Sequence, residues 1–442
     1  MKEFLLMQGP FSSRSGYGDH ARDLFKSFWD LDRFEIKIVD TRWGDCPRNG
    51  LKVNNETHQN IFNCFLRENK LDRQPDVYVD VRIPNEFEQI GKFNIGITAG
   101  IESTAVSPEW IDGCNKMDLV IVPSEHSKNS FINSIYDKIQ NEKKIGDLKV
   151  NTPIDVLFEG VNEQIFKPID VSNEKNEIID TLDKIEENFC YLFVGQWTKS
   201  GFGVDRKDIS RMIKVFYESF ANKNNAPAMV LKTNGPNFSI LDKKSIKDNI
   251  DKIKQMFPDD IKLPKIYLIH GDLSEKQMNL LYNHPKIKYL VNFTHGEGFG
   301  RPMLEATMTG LPVIASGWSG QLDFLSPDYS CLVKGSLDTI PSKAVWDKVL
   351  IKDSKWFTID ENDAYKIFQK TFKEKFDNKI KAKKLYEINK NKFKLSDMTN
   401  MLKNILENRI LTGRFSELKL PKLKKINSES DKKIKLPKLK KV

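Results

Sequence analysis

The sequence predicts an α/β protein built on two doubly wound parallel sheets. Three observations lead there. Strand-length apolar runs alternate with helix-length segments, the alternation comes as two separate series, and Val291 to Ser316 spells out a complete strand, loop, helix, strand unit. In the first series KEFLLMQG at the amino end is followed by a helical stretch around Asp19 to Asp30, then by FEIKIVD, VYVDVRI, FNIGITAG and DLVIVPS. Runs that are apolar at consecutive positions suit strands buried on both faces, as in a parallel sheet. Asp170 to Glu187 is polar and charged with no strand signal, so the junction between the halves falls there. The second series reads FCYLFVGQ, a helix around 208–221, MVLKTNG, IYLIHG, a helix around 275–283, YLVNF, a further helix and PVIAS. Past Asp353 the pattern is expected to be helical and Lys-rich to about Arg414.

A chain of 442 residues has room for two or three domains of ~150–200 residues, each with its own core. The composition, 39% hydrophobic and 30% charged, is that of a soluble globular protein, and the longest apolar runs (FLLM, LVIV, YLFV) are too short to span a bilayer. The apolar run after Lys2 stops at Gln8-Gly9-Pro10 and reads as a first strand rather than a signal peptide. Cys46, Cys64, Cys114, Cys190 and Cys331 are odd in number, far apart and form no C-x-x-C, which suits a reducing, cytoplasmic compartment. The histidines have no H-x-x-x-H spacing, so zinc is not expected. Asp30-Leu31-Asp32 is the one D-x-D; it ends a helix instead of following a strand and reads as a surface turn rather than a manganese site.

The segment VNFTHGEGFGRPMLEATMTGLPVIASGWSGQLDF, Val291 to Phe324, carries the chemistry. Val291 to Phe293 end a strand, His295 to Gly300 form a tight loop, and Pro302 is expected at the first position of a helix that stops at Gly310. The free N–H groups of such a helix start, from Arg301 to Leu304, stabilise a diphosphate without any cation. Gly296, Gly298 and Gly300 permit the close approach. Glu297 in the loop can meet a sugar ring, and Glu305, a turn into the helix, can reach a ribose. Singly, the glycines are equally a tight turn and Glu305 equally a solvated helix residue; the combination is what points to a ligand.

The pattern E-G-F-G-x-P-x-x-E-A-x-x-x-G-x-P-V-I-A, with its E-x7-E, resembles the signature of the retaining, nucleotide-sugar-dependent glycosyltransferases of family four (group 1), which have the GT-B fold. GPFSSRSGYGDHARDL, SPEWIDGCNKMDLVIVPSEHSK, FEGVNEQIFKP and DRKDISRMIKVF are similar to further landmarks of that family, in their usual order. The resemblance implies two Rossmann-like domains facing a cleft: an acceptor domain at 1–175, a nucleotide-sugar domain at 176–395, a helix at 396–418 crossing back to the first domain, and a Lys-rich tail at 419–442. It implies a nucleoside-diphosphate sugar as donor substrate, with no cofactor and no metal. Glu297 would bind the sugar, Glu305 the ribose, and Gly298, Phe299, Gly300 and Arg301 the sugar and phosphates. Gly16, in the glycine loop after the first strand, and Lys207 would hold the diphosphate. Where the family commonly has an arginine after the strand glycine this chain has Gln196, which shifts phosphate neutralisation onto Lys207 with Arg206 or Lys232. Many relatives carry a histidine after the strand equivalent to NIGITAG; here Glu102 stands there as the candidate polar group facing sugar or acceptor, or as a simple helix-start carboxylate. The catalytic set is therefore Glu297, Lys207 and Glu102.

Charge is concentrated at the carboxyl end. Ten lysines against Glu429 and Asp431 put +8 of the net +9 into residues 419–442, where KLPKLKK occurs twice. Too little apolar surface is present for this tail to fold alone. It can bind an anionic surface, lipid head groups or nucleic acid, or simply keep the chain soluble. The acceptor is accordingly a surface or lipid-linked glycan, made at the inner membrane face by a peripheral enzyme, or a modified DNA base. A non-catalytic GT-B scaffold that binds nucleic acid or membrane through its tail is the alternative, against which the intact Glu297, Glu305 and Lys207 speak. An epimerase or phosphorylase on the same fold is a third reading, separable by its products.

Overall fold

The computed structural model describes residues 2–410 except 69, 236 and 237; the expected Lys-rich tail at 419–442 and residues 411–418 lie outside the described residues. The first half contains β1 (Glu3–Gly9), α1 (Gly16–Asp30), β2 (Phe34–Asp40), α2 (Glu56–Cys64), β3 (Val77–Val81), β4 (Phe93–Ile97), α3 (Pro108–Cys114), β5 (Leu119–Val122), α4 (Glu125–Asn133), β6 (Tyr136–Gln140), β7 (Lys143–Leu148) and β8 (Ile154–Val156). The second contains α5 (Glu177–Asp183), β9 (Cys190–Gln196), α6 (Ile209–Phe220), β10 (Ala228–Asn234), α7 (Ile240–Lys254), β11 (Ile266–Ile269), α8 (Glu275–Asn283), β12 (Ile287–Asn292), α9 (Arg301–Met308), β13 (Val313–Ser316), β14 (Cys331–Val333), β15 (Gly335–Thr339), β16 (Lys355–Ile359), α10 (Glu361–Lys373), α11 (Lys375–Asn389) and α12 (Leu395–Arg409).

Two six-stranded sheets result, in the orders β2-β1-β3-β4-β5-β8 and β11-β10-β9-β12-β13-β14. All pairings within them are parallel. The apolar runs explain this: Val77 to Val81, Phe93 to Ile97, Leu119 to Val122 and Ala228 to Asn234 are buried at every position, as strands covered on both faces must be. Helices begin where a polar side chain satisfies the free amides. Ser15 accepts from Gly18 N, Ser107 from Trp110 N, Ser124 from Ser127 N and Ser274 from Gln277 N. In α6 the residues Ile209, Met212, Ile213, Phe216 and Phe220 recur at helical spacing and are all buried.

Strand order fixes where a ligand crevice lies. In the second sheet the winding reverses between β9 and β12, and in the first between β1 and β3, so the loops leaving the carboxyl ends of those strands diverge and leave room.

The chain crosses between the halves twice at one place. Val161 N donates to Phe393 O (2.9 Å) and Leu395 N to Val161 O (3.0 Å), so the outward strand and the returning segment are hydrogen-bonded side by side. Leu395, Met398, Leu402, Ile405 and Leu406 of α12 are buried with Leu24, Phe25 and Phe28 of α1 in the first core. Arg409 forms a two-pronged pair with Asp155 at 2.7 Å. Ile178, Ile179 and Leu182 of α5 enter the second core, so the polar stretch at 170–187 contains a helix with one apolar stripe.

Two details differ from expectation. Past Asp353 the chain first makes the strand β16, paired antiparallel with β15, before the helices begin at Glu361. The aromatic and β-branched run Trp356-Phe357-Thr358-Ile359 favours a strand, and Asp360 caps the helix after it. Pro302 lies one residue inside the helix start at Arg301 instead of at its first position.

Leu402→Ala is expected to lower the unfolding free energy by about 2–5 kcal/mol through the cavity it leaves. Lys403→Ala, one residue on and exposed, is expected to change it by less than about 0.5 kcal/mol. Urea unfolding of the two variants checks the contrast.

Candidate active site

The loop from β12 to α9 and the loop from β9 to α6 leave the second sheet at its reversal point, and a buried ion pair joins them. Lys207 Nζ donates to Glu297 Oε1; the two side chains are 9% and 7% exposed. Asp205 organises the loop that delivers the lysine: its carboxylate accepts from the amides of Thr198 (3.2 Å), Lys199 (3.3 Å) and Lys207 (3.1 Å). From the other side, Thr294 Oγ1 and the amide of His295 both donate to Arg206 O, at 3.2 and 2.9 Å. Burial drives the Lys207 pKa down, opposed by Glu297. An ammonium in that setting keeps its charge through a nearby anion, here Glu297.

Arg206 extends the pair across the gap. Its Nη1 donates to Glu102 Oε1 at 2.7 Å and lies 3.9 Å from Glu297 Oε2. Glu102 is in the loop after β4, well before α3, so it does not start a helix. Glu102, Arg206, Glu297 and Lys207, from three stretches distant in sequence, form one alternating chain of charges spanning both halves.

At Gly298 the halves touch through backbone. A Cβ there would sit 1.9 Å from Ala99 O, one at Gly296 would sit 2.2 Å from Glu102 O, and one at Gly100 would sit 3.0 Å from Gly298 Cα. Ser124, which caps α4, donates through Oγ to Gly298 O at 2.6 Å. Gly300 has φ +100°, a conformation that only glycine takes without strain. Because these loops are in direct contact, a ligand enters between them only when they part. A cavity of about 330 Å3 lies elsewhere, lined by Ile169, Asp170, Val171, Asn283 and His284 among others.

Two helix starts belong to this region. In α9 the amides of Met303 and Leu304 bond back to Gly300 O, at 2.9 and 3.3 Å. Among the described residues the amides of Gly298, Phe299, Gly300 and Arg301 have no protein acceptor. Phe299 itself is buried and packs on Phe324. In α1 a Cβ on Gly16 would meet nothing within 4 Å, so this helix start is open on that side.

Glu305 and Arg301 pair on the first turns of α9. Arg301 Nε donates to Glu305 Oε1 at 3.1 Å, its Nη1 pairs with Asp23 of α1, and Nη2 lies 3.7 Å from Glu275. Burial works against the Arg301 charge, but Asp23, Glu305, Asp19 and Glu275 outweigh it and raise its pKa. The guanidinium expected on sugar and phosphates is therefore engaged by carboxylates. Glu305 Oε2 also accepts from Tyr282 OH at 3.2 Å, and burial pushes the Glu305 carboxyl up to about 7 against the pull of Arg301. Lys232, on β10, belongs to a different group: its Nζ donates to Gly271 O at 2.8 Å, near the Arg14–Asp272 pair, and burial pushes it down to about 8.

His295 supports the loop from below. Its ring stacks on Trp356 at 4.0 Å, Nδ1 lies 2.6 Å from Phe357 O, and Nε2 lies 3.4 Å from Asp208. Asp23, Glu275, Tyr282, Ser124 and Glu159 were not singled out from the sequence, although Asp23, Ser124 and Glu159 lie within the landmark stretches GPFSSRSGYGDHARDL, SPEWIDGCNKMDLVIVPSEHSK and FEGVNEQIFKP. Among the described residues no group of three or more His, Cys, Asp or Glu side chains could hold a metal ion, and no helix is long and apolar enough to cross a membrane.

No protein-family model matches the sequence, and no curated protein matches it. Solved structures do. HepE of Anabaena, in complex with UDP and glucose, is 12% identical with a TM-score of 0.58, over 92% of this chain and 100% of that one. Sucrose-phosphate synthase of Thermosynechococcus elongatus is 11% identical with a TM-score of 0.61, over 92% and 99% of the two chains. A glycosyltransferase of Rickettsia africae is 14% identical with a TM-score of 0.58, over 93% and 99%. The fold is GT-B. At these identities the likeness is one of architecture, and the GT-B halves are the two parallel sheets described above.

Glu305 makes a pH-dependent difference to stability. The folded chain keeps its proton up to about 7, whereas an ordinary carboxyl releases it near 4.5, so ionisation disfavours the folded state. Wild-type stability relative to Glu305→Gln is expected to fall as pH rises from about 4.5 to about 7 and to level off above. Thermal unfolding of both proteins across pH 4.5 to 8 measures this, and a constant difference would contradict it.

Proposed function

We propose that the chain is a retaining, metal-independent glycosyltransferase of the family-four type, moving a sugar from a nucleoside diphosphate to an acceptor hydroxyl. The observation that carries this reading is the buried Lys207–Glu297 pair at the reversal point of the second sheet, beside the unpaired amides that lead into α9. The GT-B architecture and the binding of UDP and UDP-glucose by the Anabaena protein support it.

In this mechanism a donor parts the 99–102 and 296–298 loops and places its diphosphate against the amides of Gly298 to Arg301, with the Gly16 end of α1 opposite. Glu297 turns from Lys207 to a sugar hydroxyl, leaving Lys207 and Arg206 to face the phosphates. As the bond from sugar to phosphate breaks, negative charge grows on the diphosphate, and these fixed donors stabilise it. Glu305 exchanges Arg301 for the ribose hydroxyls. Glu102, held by Arg206, faces the transferred sugar or the acceptor. The acceptor attacks from the face the diphosphate leaves, and a phosphate oxygen takes its proton. The domains are assigned as acceptor-binding (1–175) and donor-binding (176–395), with 396–418 returning to the first. The acceptor is a surface or lipid-linked glycan or a modified DNA base, and residues 419–442 hold the anionic surface that carries it, in a cytoplasmic or inner-membrane-peripheral setting.

Thermal unfolding with UDP-, GDP-, ADP- and dTDP-sugars tests the donor. One of them at about a hundred times its Kd is expected to add about 2.7 kcal/mol of stability, and Glu305→Ala to remove most of it. With that donor, Lys207→Met is expected to lower kcat/KM by about 10²–10³-fold, and the product glycoside to keep the donor's anomeric configuration by NMR. No stabilisation by any donor would end the reading.

Removing residues 419–442 is expected to weaken binding to either duplex DNA or anionic vesicles, more at low salt than at high. Unchanged binding to both would leave the tail without this role.

A further inference from the structure

Glu159 is a buried acid with no assigned work. It follows β8, where the chain first crosses from one sheet to the other, and it is 8% exposed. Its neighbours in sequence hold it there. Phe158 packs against both large cores and meets Phe393 at 5.1 Å. Gly160 N lies 3.2 Å from Met398 Sδ, and a Cβ on Gly160 would come within 2.7 Å of Leu395 Cα. Held on both sides, the backbone at Glu159 is fixed at the crossing between the two sheets. Among the described residues its carboxyl oxygens have no hydrogen-bond or ion-pair partner.

Its surroundings are those of the donor site. The charges that act on it are Arg301 at the start of α9, Asp23 and Asp19 of α1, and Glu297 of the pocket loop. Tyr17 of α1 feels its charge in turn, and the returning segment beneath it carries Lys394 and Asp397. A largely enclosed carboxyl without a protein partner is unfavourable, and one within reach of the charges of ligand-facing groups gains its partner when the ligand arrives.

We propose that Glu159 is a third donor-facing acid, whose carboxyl group hydrogen-bonds the sugar-diphosphate part of the nucleotide sugar from the floor of the cleft. The inference rests on the donor reading above. Burial, reinforced by Asp23, Asp19 and Glu297 and only partly offset by Arg301, pushes the carboxyl up to about 8. Near neutral pH it therefore carries its proton and can donate O–H to a phosphate or sugar oxygen, as an ionised carboxylate cannot. Above about 8 it becomes an anion beside an anionic ligand. Glutamine keeps a donor at that place and never ionises; alanine offers neither.

The experiment is isothermal titration of the full chain with whichever of the UDP-, GDP-, ADP- and dTDP-sugars binds most tightly, at pH 6.5 and pH 9. At pH 6.5 Glu159→Ala is expected to weaken binding about tenfold, while Glu159→Gln stays within about threefold of wild type. At pH 9 wild type is expected to lose affinity relative to Glu159→Gln. Lys232 also loses charge near pH 8, so the comparison between the two proteins, and not the wild-type slope, is the readout. Equal affinities for all three proteins at both pH values would overturn the proposal. Equal losses in the alanine and glutamine variants with no change in pH profile would overturn it too, because a hinge-packing role predicts that result. If wild type binds none of the four donors, the donor reading and this inference fall together; if wild type binds and Glu305→Ala does not, only the role of Glu159 is in question.

Discussion

The buried pairing of Lys207 with Glu297 is the constraint on which the site turns. It fastens the loop after β9 to the loop after β12, and through Arg206 and Glu102 it reaches the other half of the molecule. Neither partner could occupy that position alone, since an isolated buried charge is far more unfavourable than a pair. The pair also defines what can replace it: a ligand with hydroxyls for the carboxylate and an anion for the ammonium. A sugar joined to a diphosphate has both, in adjacent positions.

The Arg301 cluster follows the same logic on the next part of the cleft. One guanidinium holds Asp23, Glu305 and Glu275, and Asp23 belongs to the opposite half. The two charge chains thus bridge the gap at two places, while the glycine contacts at 296, 298 and 100 let backbone meet backbone between them. Closure held by ion pairs is reversible in a way that closure by a broad apolar interface is not, because water and a charged ligand can each take over the same partners.

Much of this was legible in the sequence, for particular reasons. The two sheets followed from apolar runs such as Val77 to Val81 and Ala228 to Asn234, whose composition leaves only a doubly covered strand. Glu297 and Lys207 stood out because each sits in a short, glycine-bounded or helix-preceding loop, and loops after parallel strands converge at one end of a sheet. Partners were not legible. Asp23 and Arg301 are brought together by the return of α12 onto α1 and by the register of two sheets, and no local pattern carries that. Arg301 was expected on phosphate for its place at a helix start, yet Asp23 and Glu305 claim its guanidinium. The strand β16 was missed because Lys-rich sequence on both sides hid a four-residue aromatic and β-branched run.

The placement of acids along the cleft leads to a last step. Glu102, Glu159, Glu297 and Glu305 come from three separate segments, and two of them, Glu159 and Glu305, are held above the ordinary carboxylate range by burial. A cleft for an anionic diphosphate lined with four ionised acids would repel its ligand. Protonation of Glu159 and Glu305 removes that conflict and turns them into hydrogen-bond donors, while Arg206 and Lys207 lie beside Glu297 and Arg206 beside Glu102. The number of carboxylates is thus compatible with an anionic ligand because desolvation keeps charge from developing on Glu159 and Glu305, while Glu297, buried as deeply, has the Lys207 ammonium against it.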